Sequence, residues 1–124
     1  MERALISVVM LSYNHERFIE ASVRSVFAQA AHWPDLELVV LDDGSSDDTP
    51  RLLKLLQQAA PIPMRIILNP HEGITAIARN LNHLVDVARG RYVAFLASDD
   101  EFLPDRFRKQ AALLEGDDSL AIVY

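Results

Sequence analysis

An alternation constrains this chain more than any other feature. Five short apolar runs, at residues 5–11, 36–41, 64–68, 92–96 and 120–124, are separated by stretches where apolar residues recur every three or four positions. The runs are rich in Val, Ile and Leu and are too short for core helices. A strand buried on both faces reads this way, as a near-continuous apolar run without polar alternation. Between the runs, Ile19, Val23, Val26, Phe27 and Ala30 mark one helix, and Leu52, Leu53 and Leu56 a second. A third carries Ile74, Ile77, Ala78, Leu81, Val85 and Ala88, with Gly90 as its C′ residue; a fourth opens at Pro104 and turns Phe107, Ala111 and Leu114 inward. Ser45, Ser46 and Asp47 are cap residue types ahead of the second helix. Strands alternating with helices imply an α/β fold, a doubly wound and mostly parallel sheet with right-handed crossovers. The order 3-2-1-4, with a further C-terminal strand at residues 120–124, is the expected topology.

The chain has 124 residues, the size of one domain, and half of them are apolar, enough for a real core. A net charge of −6 disfavours non-specific binding to nucleic acid or anionic lipid. The absence of cysteine excludes a disulfide scaffold and thiol chemistry, and is compatible with a reducing cytoplasm. No apolar run approaches the roughly 20 residues of a membrane span, and the N-terminus has no signal-peptide pattern.

In a doubly wound sheet, ligands bind outside the carboxyl ends of the strands, where the strand order reverses. With order 3-2-1-4 that point lies between strands 1 and 4. Three strand ends there are polar. Strand 1 runs into Ser12-Tyr13-Asn14, strand 2 into Asp42-Asp43-Gly44-Ser45-Ser46-Asp47, and strand 4 into Ser98-Asp99-Asp100. Adjacent carboxylates repel one another and suit a hard divalent cation shared with ligand phosphates. Tyr13 offers a ring for stacking on a base, and a nearby carboxylate can accept a base imide N–H. Together these residues read as a nucleotide site without a glycine-rich phosphate loop. Each has a plainer alternative. Tyr13 packs against the fold, residues 42–47 form a turn and helix cap, and Asp99 and Asp100 cap the following helix. Arg79 is the candidate for a diphosphate contact, or else makes a surface ion pair. His15, His32, His71 and His83 show no metal-ligand spacing and read as surface or loop residues. Arg17, Arg24, Arg106 and Arg108 read as solvated helix faces.

Four segments, residues 6–14, 40–47, 73–80 and 90–100, resemble family 2 glycosyltransferases of the GT-A fold, in order and over nearly the whole chain. The resemblance implies a nucleotide-sugar-dependent transferase, usually inverting and usually using Mg²⁺ or Mn²⁺, with a UDP-sugar favoured as donor and a saccharide or lipid-linked acceptor. Tyr13 matches the position that packs on the base, flanked by Ser12 and Asn14 in the nucleotide site. Asp43 matches the acidic residue recognising a uracil-type imide. Asp99 matches the first carboxylate of an Asp-x-Asp-like motif, near the ribose, and Asp100 its metal-binding partner. Arg79 matches a helix position often near the diphosphate. The chain departs from the family at Met10-Leu11, and at Ala97-Ser98, where many relatives carry another Asp, so the metal site rests chiefly on Asp100.

The family's domain is roughly twice as long. The chain therefore reads as a single donor-binding domain, the N-terminal half of a longer enzyme, with the general base expected beyond Tyr124. The whole protein is expected in the cytoplasm or peripherally at the inner face of the membrane. An open sheet edge near Tyr124 makes a homodimer conceivable. Alternatives are a non-catalytic nucleotide-binding relative or a phosphoacceptor receiver domain. A receiver needs an acidic pair after strand 1 and a lysine after strand 5; here strand 1 ends in Ser-Tyr-Asn, and Lys54 and Lys109 lie on helices. No Gly-x-Gly-x-x-Gly follows strand 1, which argues against a dinucleotide-dependent dehydrogenase.

Overall fold

The computed structural model describes residues 4–123. Four strands, β1 (Ile6–Ser12), β2 (Leu36–Asp43), β3 (Met64–Asn69) and β4 (Tyr92–Phe95), form one parallel sheet in the order β3-β2-β1-β4. The crossovers carry α1 (Ile19–Gln29), α2 (Thr49–Gln58) and α3 (Ile77–Val87), the last preceded by a 3-10 turn at Gly73–Ala76, and α4 (Arg106–Gly116) follows β4. Both the α/β class and the strand order match the sequence expectation.

The pleat divides the sheet residues. On one face Ile6, Val8 and Met10 of β1 meet Leu36, Leu38 and Val40 of β2. These pack against Ile19, Val23 and Val26 of α1, Leu53 and Leu56 of α2, and Phe107 and Ala111 of α4. Burying a side chain of this size contributes about 1.5–3 kcal/mol, so this face dominates stability. On the other face Val9, Val39 and Leu41 pack against Leu84 of α3. The same face holds a buried carboxylate. Glu37 accepts hydrogen bonds from Ser7 Oγ (2.5 Å), the Arg89 backbone N–H (2.6 Å) and Arg65 Nη2 (2.9 Å). Burial pushes the Glu37 carboxyl up, but those donors outweigh it and hold it below its usual value.

Four details differ from the sequence reading. The third helix buries Ala76, Asn80 and Leu84, whereas Ile74 and Ile77 of the expected stripe are exposed, Ile74 by 86%. The opening turn is 3-10, with three residues per turn instead of 3.6, and this shifts the helical phase. Gly90 is not a helix C′ residue: α3 ends at Val87 and is capped by Ala88 in extended geometry. Glycine is required at position 90 by close approach, since a Cβ there would lie 2.6 Å from Ser7 Oγ and 2.8 Å from Leu5 O. Pro104 precedes α4 instead of entering its first turn, because Asp105 takes a left-handed conformation (φ 67°) between them. The expected fifth strand is not formed over residues 120–123; Tyr124 lies outside the described residues. No helix among the described residues is long and apolar enough to cross a membrane.

Candidate nucleotide site

The strand order reverses between β1 and β4, and the loops after β1, β2, β3 and β4 open on that rim. The first loop leaves β1 through Tyr13, Asn14 and His15. Asn14 is left-handed (φ 50°), and its side chain clasps the β2 loop. Its Oδ1 accepts the Ser46 N–H (2.8 Å), and its own N–H donates to Ser45 Oγ (2.8 Å). Ser45 and Ser12 both donate to Asp42 Oδ1, at 2.6 and 2.8 Å. Asp47 accepts N–H groups of Thr49 (2.9 Å) and Glu16 (3.1 Å). Partial burial raises the Asp47 pKa, yet these bonds hold it below the ordinary carboxylate range. Ser12, Asn14 and Asp42 thus form the frame that fixes the loop carrying Tyr13.

Asp43 closes the opposite wall. Its carboxylate is buried and accepts the Glu72 N–H at Oδ1 (3.1 Å) and the Gly73 N–H at Oδ2 (3.0 Å). Gly44 and Gly73 have positive φ (67° and 72°), and a Cβ on Gly44 would meet the His71 backbone N at 2.3 Å. The β2 and β3 loops can therefore touch only with glycine at position 44. His71 sits in the angle they make. Its Nδ1 lies 2.9 Å from the Asp43 carbonyl O and 3.1 Å from Oδ2, and its ring stacks on Tyr13 with centroids 4.1 Å apart and planes at 15°. Tyr13, Asp43, His71, Ser12, Ile74 and Ile77 line a cavity of about 420 Å³. A larger cavity of about 560 Å³ runs along β4 and α4, away from the strand ends. The smaller one lies at the carboxyl ends of the strands, where such sheets bind ligands, and is the candidate ligand site.

The loop after β4 is held from two sides. His15 Nδ1 is 2.6 Å from Ser98 Oγ, and His15 Nε2 is 4.0 Å from Asp99 Oδ2. From beneath, α1 presents three polar residues to this segment. Ser22 Oγ donates to Ala97 O (3.2 Å), and Ser25 Oγ accepts the Phe102 N–H (3.0 Å). Gln29 donates to Leu103 O (2.7 Å) and accepts the Phe107 N–H (3.2 Å). Asp99 and Asp100 remain exposed at the tip, where Asp100 Oδ1 accepts the neighbouring Glu101 N–H (2.8 Å).

The structure therefore brings Ser12, Tyr13 and Asp43 into one cavity, and His15 links it to Asp99. Arg79 stands apart, ion-paired with Glu72 on the exposed side of α3 and not lining the cavity. His15 and His71, read as surface or loop residues in the sequence, belong to the site. Each follows the end of a strand by two or three positions, as Tyr13 and Asp43 stand at theirs, and that is the signal that would have found them. Among the described residues no cluster of three or more His, Cys, Asp or Glu side chains forms a closed metal cage. Two exposed, adjacent carboxylates nevertheless fit a divalent ion of the Mg²⁺ type, which keeps water and takes phosphate oxygens for its other ligands.

A parallel sheet with a stacking ring, a buried carboxylate and an exposed carboxylate pair at its switch point has the form of a nucleotide-binding α/β domain. Comparison with known proteins narrows the class. The family model for Glycosyl transferase family 2 matches residues 7–124, and the chain belongs to that family. It is 41% identical over 112 residues to the Bacillus subtilis protein named as the teichuronic acid biosynthesis glycosyltransferase TuaG, covering 87% of this chain and 41% of TuaG. It is 37% identical over 115 residues to the Escherichia coli UDP-Glc:alpha-D-GlcNAc-diphosphoundecaprenol beta-1,3-glucosyltransferase WfgD, covering 92% of this chain and 42% of WfgD. The Staphylococcus aureus TarS 1–349 structure in complex with UDP-GlcNAc superposes with a TM-score of 0.77 at 25% identity, covering 90% of this chain and 31% of TarS. The fold is thus GT-A, and the chain spans about two fifths of the length of these curated relatives.

Proposed function

We propose that this chain is the donor-binding domain of a glycosyltransferase that moves a sugar from a UDP-sugar to a hydroxyl of a saccharide or lipid-linked acceptor, with inversion at the anomeric carbon. The observation that carries the reading is the junction of two sub-sites at one switch point: the Tyr13–Asp43 cavity and the Asp99–Asp100 tip, joined through His15. TarS, of the same fold and 25% identical, is known in complex with UDP-GlcNAc, and WfgD is named for a UDP-glucose donor and a diphosphoundecaprenol-linked acceptor.

In this reading the Tyr13 ring stacks on the base, and Asp43 accepts its imide N–H. A carboxylate has about four acceptor positions. The Glu72 and Gly73 N–H groups hold one position on each oxygen of Asp43, which leaves one on each for His71 or the base. Asp99 faces the ribose. Asp100, with Asp99, would hold Mg²⁺ or Mn²⁺, whose chemistry when bound is to offset charge on the diphosphate leaving group. Arg79 reaches the diphosphate only by leaving Glu72. The acceptor hydroxyl must lose its proton to a carboxylate as it attacks; we assign no residue of this chain to that role and place it elsewhere in the whole protein.

Calorimetric titration of UDP, with and without Mn²⁺, tests the reading. The expected result is affinity that rises with Mn²⁺ in the wild type and loses that increment in Asp100→Ala. An affinity indifferent to both Mn²⁺ and Asp100→Ala would contradict it.

A further inference from the structure

One wall of the cavity is a second ring. His71 lies parallel to Tyr13 at 4.1 Å and turns Nδ1 toward Asp43, 2.9 Å from its carbonyl O and 3.1 Å from Oδ2. Both of those neighbours only accept, so Nδ1 carries the proton and donates. A flat heteroaromatic ring on Tyr13 with an N–H aimed at Asp43 has the same contacts a uracil-type base would make. His71 covers one face of Tyr13, and a base cannot take that face while the imidazole is there.

We propose that His71 is an internal occupant of the base slot, displaced when a nucleobase binds, and that it sets the affinity and base selectivity of the site. This rests on the reading of Tyr13 and Asp43 as a base site. The side chain is 45% exposed, so it can rotate outward without opening the core. Outward rotation also frees an acceptor position on Asp43 Oδ2, so the base imide gains the partner that the histidine gives up. Occupation lowers the fraction of molecules ready to bind, and apparent affinity falls by that fraction. The occupant favours bases that both stack and donate to a carboxylate, since only these replace both of its contacts. A base lacking an imide N–H recovers the stack alone.

The test is titration of uridine, UDP and inorganic pyrophosphate against the wild type, His71→Ala and Tyr13→Ala. Loss of one ring stack and one half-exposed hydrogen bond amounts to about a tenfold change. His71→Ala should bind uridine and UDP about tenfold tighter, with pyrophosphate unchanged. Unchanged or weaker uridine binding in His71→Ala, with binding lost in Tyr13→Ala, overturns the occupant role and leaves the base site standing. Uridine binding unaffected by Tyr13→Ala overturns both. A second readout needs no variant. In the wild-type proton NMR spectrum the His71 ring signals carry a Tyr13 ring-current shift, and saturation with uridine should abolish it; a shift that persists at saturation refutes displacement.

Discussion

Gln29 anchors the acidic loop, and its replacement by leucine isolates that role. The side chain is 1% exposed and bonds both Leu103 O and the Phe107 N–H. Leucine has similar volume, so little cavity forms and the loss is confined to hydrogen bonding. Leu103 is 77% exposed and its carbonyl can turn to water, whereas Phe107 is 3% exposed and its N–H is stranded. A stranded buried donor costs about 1–3 kcal/mol and the lost carbonyl bond about 0.5–1 kcal/mol, so the total is about 1.5–4 kcal/mol. In a domain of this size, at about 4 °C per kcal/mol, that lowers Tm by about 6–16 °C. The segment released also carries Asp99 and Asp100. Calorimetry on Gln29→Leu below its Tm should show the Mn²⁺-dependent increment of UDP affinity reduced and uridine affinity kept. A Tm within about 2 °C of wild type, on the same scale, would refute the claim that Gln29 holds α4 and the loop together.

Asn14→Gly should lose about 1 kcal/mol by chemical denaturation, the worth of the Oδ1 bond to the Ser46 N–H, and Asn14→Ala about 1 kcal/mol more, because glycine accepts φ 50° without strain. Gly44→Ala combines φ 67° with a Cβ 2.3 Å from His71 N, and should lose about 3 kcal/mol or more, seen as a low Tm or insoluble protein. The Glu37 carboxyl is held below its ordinary value of 4.5 in the folded protein, so its ionised network contributes stability above pH 4.5 that is lost as pH falls through the lowered folded value. Denaturation of wild type and Glu37→Gln across pH should show the widest gap near neutrality, closing in acid; a gap that stays constant would contradict the burial of an ionised Glu37.

The strands and their order were legible because β1 and β2 are buried on both faces, and such strands leave continuous apolar runs. The third helix was less so. Its apolar residues fit two stripes, and the choice between them depends on a 3-10 turn at Gly73–Ala76 that no periodicity announces. The chosen stripe holds Ile74 and Ile77, which line the candidate cavity instead of the core. The run at residues 120–123 has strand composition without a pairing partner among the described residues. Within the site, Tyr13, Asp43 and Asp99 were readable from their places at strand ends. The work of Asn14 was not, since its partners Ser45 and Ser46 are more than 30 residues away and meet it only when β1 and β2 pair. His71 was missed for the same reason: its partners are Tyr13 and Asp43, on two other loops.

A crystal structure of the protein with UDP and Mn²⁺ decides whether this switch point binds a nucleoside diphosphate. We expect the uracil ring on Tyr13 with its imide at Asp43, His71 rotated outward, and the diphosphate and metal at Asp99 and Asp100. UDP bound elsewhere, or bound here with Asp100 far from both metal and phosphate, would contradict it.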